Sequence, residues 1–276
     1  MKPFTFLAPR ALDEAVALLG EHGADARVIA GGQSLLLAMK ERLDRPSVLV
    51  SLSGVADLRS WTYTESWQLD IGATTTYAEL AGAALRGWHA EISAVAGNLA
   101  DRPVRTMGTV GGALCQADPR FDLPTLAVGV GAEVDTVSGD GVRSRTADEF
   151  FPAEGGTVLG RGEILTRVRF PAPDAYRAVA FEKFRYRQFD AALVSVVCAV
   201  RPDGSLRLAV GAVRPRPIIV SEGTVSGGTG SVDPEAVADE VLPAAEATTR
   251  LRKYQRELIA VLTHRAITRA RQDARS

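Results

Sequence analysis

The chain has 276 residues, close to twice the roughly 150 residues of a typical domain, with 46% apolar and 24% charged residues. These values exclude a small disulfide scaffold and global disorder, because enough apolar side chains are present to build a sizeable core. With 32 basic and 33 acidic residues the net charge is -1, so no whole-protein field gathers nucleic acid or anionic lipid.

The chain order begins with Leu12, Ala15, Val16 and Leu19 at three- and four-residue steps between Pro9 and Gly20, the pattern of an amphipathic helix ended by glycine. Arg27-Val28-Ile29-Ala30 then predicts a strand that stops at Gly31-Gly32. Residues 34–42 have helix-forming composition, and residues 47–52 read as a second strand, so the first ~55 residues form a compact α/β unit. A further unit opens with a strand over 68–73 and helices over 77–84 and 91–99. It continues through the glycine-dense stretch Gly108-Thr109-Val110-Gly111-Gly112, where permissive backbone implies a tight turn or a ligand at close range.

Strands are predicted over 132–137 and 164–170, and Pro171-Ala172-Pro173 reads as a domain boundary. Beyond it, 178–184, 193–201 and 206–213 are β-rich, with Pro202-Asp203-Gly204 as a hairpin signal. Residues 223–231 are rich in glycine, serine and threonine and are expected to loop over the surface. A long helix over 249–271 places Leu251, Tyr254, Leu258, Val261, Leu262 and Ile267 on one face and many arginines on the other.

Absent motifs narrow the chemistry. No G-x-G-x-x-G, P-loop or G-x-S-x-G motif occurs, and His22, His89 and His264 lie far apart without partners at zinc-ligand spacing. They read as surface or helix-end histidines. Cys115 and Cys198 are too few for a disulfide framework or for the four thiolates of an iron-sulfur cluster, so any cluster must belong to a partner. The start carries Pro3, Pro9 and Arg10 where a secretory segment needs an apolar run, and no stretch approaches ~18 apolar residues; the expectation is a cytoplasmic, soluble chain with no membrane segment.

Two glycine loops remain. In Ala30-Gly31-Gly32-Gln33-Ser34-Leu35 a strand meets a helix, where unused backbone N–H groups can hold a phosphate, or the turn is ordinary structural punctuation. Thr109-Val110-Gly111-Gly112-Ala113 repeats the arrangement and adds a hydroxyl. Asp122 follows, either as an acceptor for sugar-type hydroxyls or as a helix N-cap before Leu123-Pro124. Two anion-capable loops in neighbouring lobes suggest a dinucleotide stretched between them.

These motifs, in order with residues 71–80 (IGATTTYAEL), Ala117-Asp118-Pro119 and Asp122-Leu123-Pro124, resemble the FAD-binding medium subunit of molybdenum hydroxylases, the carbon monoxide dehydrogenase and xanthine dehydrogenase flavoproteins. The resemblance spans essentially the whole chain. It implies an α+β fold: a two-lobed FAD-binding domain over 1–172, with lobes of about 1–56 and 57–172, then a C-terminal domain of antiparallel sheet with helices over 173–276. It assigns Val28, Ile29, Ala30, Gly31, Gly32, Gln33, Ser34 and Leu35 to the FAD pyrophosphate, with amides of Gly31 to Ser34 as donors. Thr109, Val110, Gly111, Gly112 and Ala113 become the second dinucleotide loop, Asp122 the binder of a hydroxyl-bearing part, Leu165 a flavin-lining residue, and Lys183 a cation near the isoalloxazine. A solvent-facing strand residue is the other reading of Lys183. Asp190 and Arg187 are expected to pair at a domain or subunit boundary.

Family members take electrons from iron-sulfur clusters of a small subunit, while a large molybdopterin subunit hydroxylates the substrate; the resemblance therefore implies a hetero-oligomer and an electron-exit role. Departures occur at Ala113, where the family commonly has Asn, at Pro103-Val104-Arg105-Thr106 before the loop, and at Arg250-Leu251-Arg252-Lys253 in the tail. The altered tail motivates an alternative, a stand-alone FAD-dependent dehydrogenase or oxidase; a third reading is a binding module that lost the cofactor.

Overall fold

The computed structural model describes residues 2–225 and 232–275. Three sheets follow one another along the chain. The first is parallel, with β1 (Thr5–Leu7), β2 (Ala26–Ile29) and β3 (Val48–Ser51) in the order β1-β3-β2. Parallel strands need both faces covered. Helix α1 (Leu12–His22) supplies Ala15 and Leu19 against Val48 and Val50 on one face, and α2 (Leu35–Lys40) supplies Met39 against Ile29 and Leu49 on the other. The helix expected over 34–42 thus contracts to six residues, and β1 emerges between two prolines where composition gave no strand signal.

The second sheet is antiparallel: β4 (Trp61–Tyr63), β5 (Leu69–Gly72), β6 (Glu133–Ser138), β7 (Gly141–Thr146) and β8 (Ile164–Phe170), in the order β4-β5-β8-β6-β7. Helices α3 (Tyr77–Ala81), α4 (Ala90–Gly97), α5 (Arg102–Met107), α6 (Val110–Gln116), α7 (Asp122–Gly129) and α8 (Ala147–Phe150) accompany it. One sheet face buries Leu69, Ile71, Val134, Val168 and Phe170 against the helices. The other is ionic: Arg167 reaches Asp70 at 2.7 Å, and Arg169 reaches Asp70 at 2.9 Å and Asp135 at 3.1 Å. A register shift between Asp135 and Thr136 breaks the alternation along β8. Leu165 consequently joins the main core while Ile164 packs under the first sheet.

The third sheet, β9 (Ala178–Phe184), β10 (Val194–Val200), β11 (Leu206–Gly211) and β12 (Ile218–Ile219), is antiparallel in the order β12-β11-β10-β9. Every residue of β10 is buried, because α7 covers one face and α10 (Pro234–Val241) with α11 (Arg250–Asp273) covers the other. The Pro202-Asp203-Gly204 hairpin forms as expected, with Gly204 at φ +85°. Residues 171–173 cross from the second sheet to the third, held by Trp88 Nε1, which donates to Ala172 O at 3.0 Å, and by His89 Nε2, 2.7 Å from Pro171 O. Since that carbonyl only accepts, Nε2 carries the proton. His89 is the one expected helix-end histidine that is fully buried.

Several expectations are corrected. The buried face of α11 runs through Gln255, Ile259, Thr263, Ala266 and Ala270 together with Leu258, Leu262 and Ile267, whereas Leu251 and Val261 are nearly half exposed. Helix α5 occupies the stretch around Pro103: Asp101 caps it by accepting from Val104 N at 2.9 Å, and Pro sits in the first turn, where its missing N–H costs nothing. The surface loop expected over 223–231 begins as the short helix α9 (Glu222–Val225), and 226–231 lie outside the described residues.

Candidate flavin-nucleotide site

The first and second sheets approach one another at the Gly-Gly turn that joins β2 to α2. Gly31 fits there because it has no side chain: a Cβ would meet Met107 O, at the end of α5, at 1.9 Å. Gly32 takes φ +71°, the left-handed region open to glycine. Among the described residues no protein acceptor takes the N–H of Gly31, Gly32, Gln33 or Ser34, and the Ser34 side chain makes no cap bond. Four neighbouring backbone donors without partners are the arrangement that binds an anion. Helix α2 is only six residues long, so the amides themselves, more than a summed helix dipole, supply the attraction.

The second glycine pair differs from the expectation. Thr109 is the N-cap of α6, and Gly111 and Gly112 lie inside its first turn. Their amides are already used: Val110 N donates to Thr75 O at 3.0 Å, Gly111 N to Ala73 O at 2.8 Å and Gly112 N to Thr109 Oγ1 at 3.1 Å. Those three backbone donors are engaged within the protein. What this lobe offers the cavity is side chains.

A cavity of about 610 Å³ opens between the lobes, within the range of about 300–1,000 Å³ typical of small-molecule sites. Val28, Ile29, Ala30, Gly31, Gly32, Gln33, Ser34, Leu35, Thr109, Gly111, Gly112, Ala113, Asp122, Leu165 and Lys183 all line it. Val110 is the exception; it is 1% exposed and belongs to the core beneath.

Asp122 occupies the first position of α7, after Phe121 as N-cap, so it is not the cap itself. Its Oδ2 pairs with Lys183 Nζ, which also donates to Asn98 O at 3.1 Å. The Lys183 side chain is 8% exposed, which rules out the solvent-facing reading. Burial pushes the Asp122 carboxyl above the usual carboxylate range, and the charges of Lys183 and Arg185 oppose that shift. Glu163 shows the opposite balance: burial raises its carboxyl, but hydrogen bonds from Thr136, Gly160 N and Arg145 together hold it lower. Both of its oxygens are thereby taken by protein. Asp190 lines the cavity mouth, and its link to Arg187 is a backbone hydrogen bond at 3.2 Å; among the described residues no ion pair joins the two side chains.

Sequence reasoning missed part of the wall. Ala73, Thr74 and Tyr77 come from the turn between β5 and α3, and Leu99, Val104 and Gly108 from around α5. The Thr76-x-x-Glu79 spacing was the available signal for the first group: it forms a capping box that fixes where α3 starts and hence where Tyr77 points. The cavity thus combines unpartnered amides at one turn, a buried carboxylate-ammonium pair, several hydroxyls and apolar side chains, a donor and acceptor set suited to an elongated nucleotide carrying an anionic linkage.

Comparison with known proteins agrees. Residues 2–173 match the family described as the FAD binding domain in molybdopterin dehydrogenase. The chain is 32% identical to the carbon monoxide dehydrogenase medium chain of Afipia carboxidovorans, covering 99% of this chain and 98% of that one. It is 29% identical to the xanthine dehydrogenase FAD-binding subunit of Escherichia coli O157:H7, covering 94% and 93%. A chain of the carbon monoxide dehydrogenase structure from Hydrogenophaga pseudoflava superposes with a TM-score of 0.89 at 29% identity, covering 99% of this chain and 98% of that one. With its unpartnered Gly31–Ser34 amides at the seam of two lobes and likeness along its full length, this chain belongs to the FAD-binding medium-subunit family of the molybdopterin dehydrogenases.

Proposed function

We propose that the chain is the FAD-carrying electron-transfer subunit of a molybdenum hydroxylase complex. It takes electrons from iron-sulfur clusters of a small partner subunit and passes them to an external acceptor, while a large molybdopterin subunit carries the hydroxylating site. The observation behind this reading is the set of free amides at Gly31 to Ser34 in a chain similar from end to end to medium chains of such dehydrogenases. That end-to-end similarity favours the subunit role over a stand-alone oxidase. The chain's two cysteines fall short of the four thiolates a cluster needs, consistent with clusters held by a partner.

The flavin, when bound, supplies the chemistry that links single-electron donors to two-electron acceptors. The residues of this chain hold and orient it. Gly31, Gly32, Gln33 and Ser34 amides donate to the pyrophosphate; Asp122 accepts from a hydroxyl; Leu165 and the apolar wall keep water out; and Lys183 places a cation, partly neutralised by Asp122, beside the flavin end. Cytoplasmic placement belongs to the same proposal; no helix among the described residues is long and apolar enough to cross a membrane.

The test is isolation of the tagged chain from the cells that make it, with flavin, iron and molybdenum measured across one size-exclusion peak. Co-elution of all three is expected. Flavin without either metal returns the stand-alone reading, and absence of flavin removes both.

A further inference from the structure

Tyr77 stands on the cavity wall with a buried ring and an unspent hydroxyl. It opens α3, where its N–H donates to Gly108 O at 3.1 Å, and its ring packs so tightly beneath Gly108 that a Cβ there would meet Tyr77 Cε2 at 2.6 Å. The residue is 8% exposed, yet among the described residues its hydroxyl has no protein hydrogen-bond partner. Tyr77 lines the cavity, and a hydroxyl without a protein partner there is open to a ligand that fills it. Asp122, 2% exposed on the same wall, presents a second open valence: Oδ2 is taken by Lys183, and among the described residues no protein donor reaches Oδ1. Burial first, and then the nearby Asp122 charge, raise the Tyr77 phenol above its ordinary value, so it remains protonated and able to donate.

The chemistry that satisfies both groups is narrow. Oδ1 accepts, as phosphate oxygens do, so a phosphate cannot satisfy it, and an apolar ring face leaves both groups unpaired. An alcohol is donor and acceptor at once.

We propose that Tyr77 is a ligand-binding residue of this cavity, donating its hydroxyl to a sugar-type hydroxyl of the dinucleotide that in turn donates to Asp122. The inference rests on the cavity being the FAD site. Two parts of FAD carry such hydroxyls, the ribityl chain and the adenosine ribose, and they are separated by experiment.

Tyr77→Phe keeps the ring beneath Gly108 and removes only the oxygen. FAD is titrated into the full-length chain and followed by quenching of flavin fluorescence. The variant is expected to weaken binding roughly 2- to 12-fold, the range of one neutral hydrogen bond, with no loss of thermal stability in the cofactor-free protein. The titration is repeated with FAD analogues lacking one ribityl hydroxyl or one adenosine hydroxyl. For the analogue missing the contacted hydroxyl, wild type and Tyr77→Phe bind alike, and its identity tells ribityl from ribose. Equal affinity of the two proteins for FAD overturns the assignment. A difference that persists with every analogue also overturns it, because Tyr77 then touches another part of the cofactor. Wild-type protein that takes up no FAD overturns the functional reading first, and this assignment with it.

Discussion

Gly31→Ala is the sharpest test of how the two lobes meet. The added Cβ falls 1.9 Å from Met107 O and 2.8 Å from Met107 C, and both are backbone atoms that cannot swing aside. Restoring an ordinary contact of about 3.4 Å requires the β2–α2 turn and the end of α5 to separate by about 1.5 Å. Overpacking of this kind costs about 1–3 kcal/mol. Because the separation opens the seam that the cofactor must bridge, the cost falls on binding as well as on folding: FAD affinity drops roughly 5- to 150-fold and the cofactor-free protein melts lower. Gly32→Ala is the internal comparison. Its Cβ lies 3.0 Å from Leu36 Cδ1, the far end of a flexible side chain, so its cost is mainly the left-handed backbone, about 1–2 kcal/mol, with the lobes still apposed. Flavin fluorescence titration and thermal melts of both variants decide the matter. Gly31→Ala protein that binds FAD as the wild type does and melts at the same temperature refutes the seam geometry.

Two further outcomes are expected. Lys183→Met strands the buried Asp122 carboxyl and should cost about 3–5 kcal/mol in urea denaturation of the cofactor-free protein, toward the lower end if the carboxyl protonates. The double variant Lys183→Met/Asp122→Leu should recover much of that loss, and a single-variant cost under about 1 kcal/mol argues against a buried pair. His89 governs a pH effect: burial pushes its imidazole below the ordinary histidine value, against the opposing hydrogen bond to Pro171 O. The unfolded chain then takes up the proton first on acidification. The His89 contribution is complete above the unfolded value of about 6.5 and is lost as pH falls through the lower folded value. Denaturation midpoints should fall from pH 7 to pH 5 more in the wild type than in His89→Gln, and parallel curves for the two proteins would contradict this.

What the sequence disclosed, and what it withheld, follows from the range of the forces involved. The β2–Gly31-Gly32–α2 turn and the strands β5, β8, β9, β10 and β11 announce themselves through local pattern and glycine placement. Strands β1, β4 and β7 do not, because they are edge strands whose pairing is set by partners elsewhere. The Lys183 partner is likewise invisible locally: 61 residues separate it from Asp122, and only the packing of α7 on the third sheet brings them together. The Leu165 orientation depends on a register shift between β8 and β6, where Asp135 and Thr136 pair with Arg167 and Leu165 and pass over Thr166.

The two Gly-Gly pairs make the point most clearly, because similar local sequences end in opposite hydrogen-bonding states. At Gly31-Gly32 the chain leaves a parallel strand, and among the described residues no protein acceptor takes its amides. At Gly111-Gly112 the β5–α3 turn runs alongside, bridged at Thr76 and Thr109, and it delivers the carbonyls of Ala73 and Thr75 to the very amides a ligand would need. Gly111 is glycine because Ala73 crowds it, with a Cβ position 2.7 Å from Ala73 Cβ, and not because an anion approaches. The same turn that occupies those amides also sets Tyr77 into the wall. On the proposed function, the second lobe meets the dinucleotide with hydroxyls and a carboxylate, and the first with bare backbone. The proposed placement of the charged linkage at Gly31–Ser34 and of the sugar hydroxyls at the wall opposite follows that division.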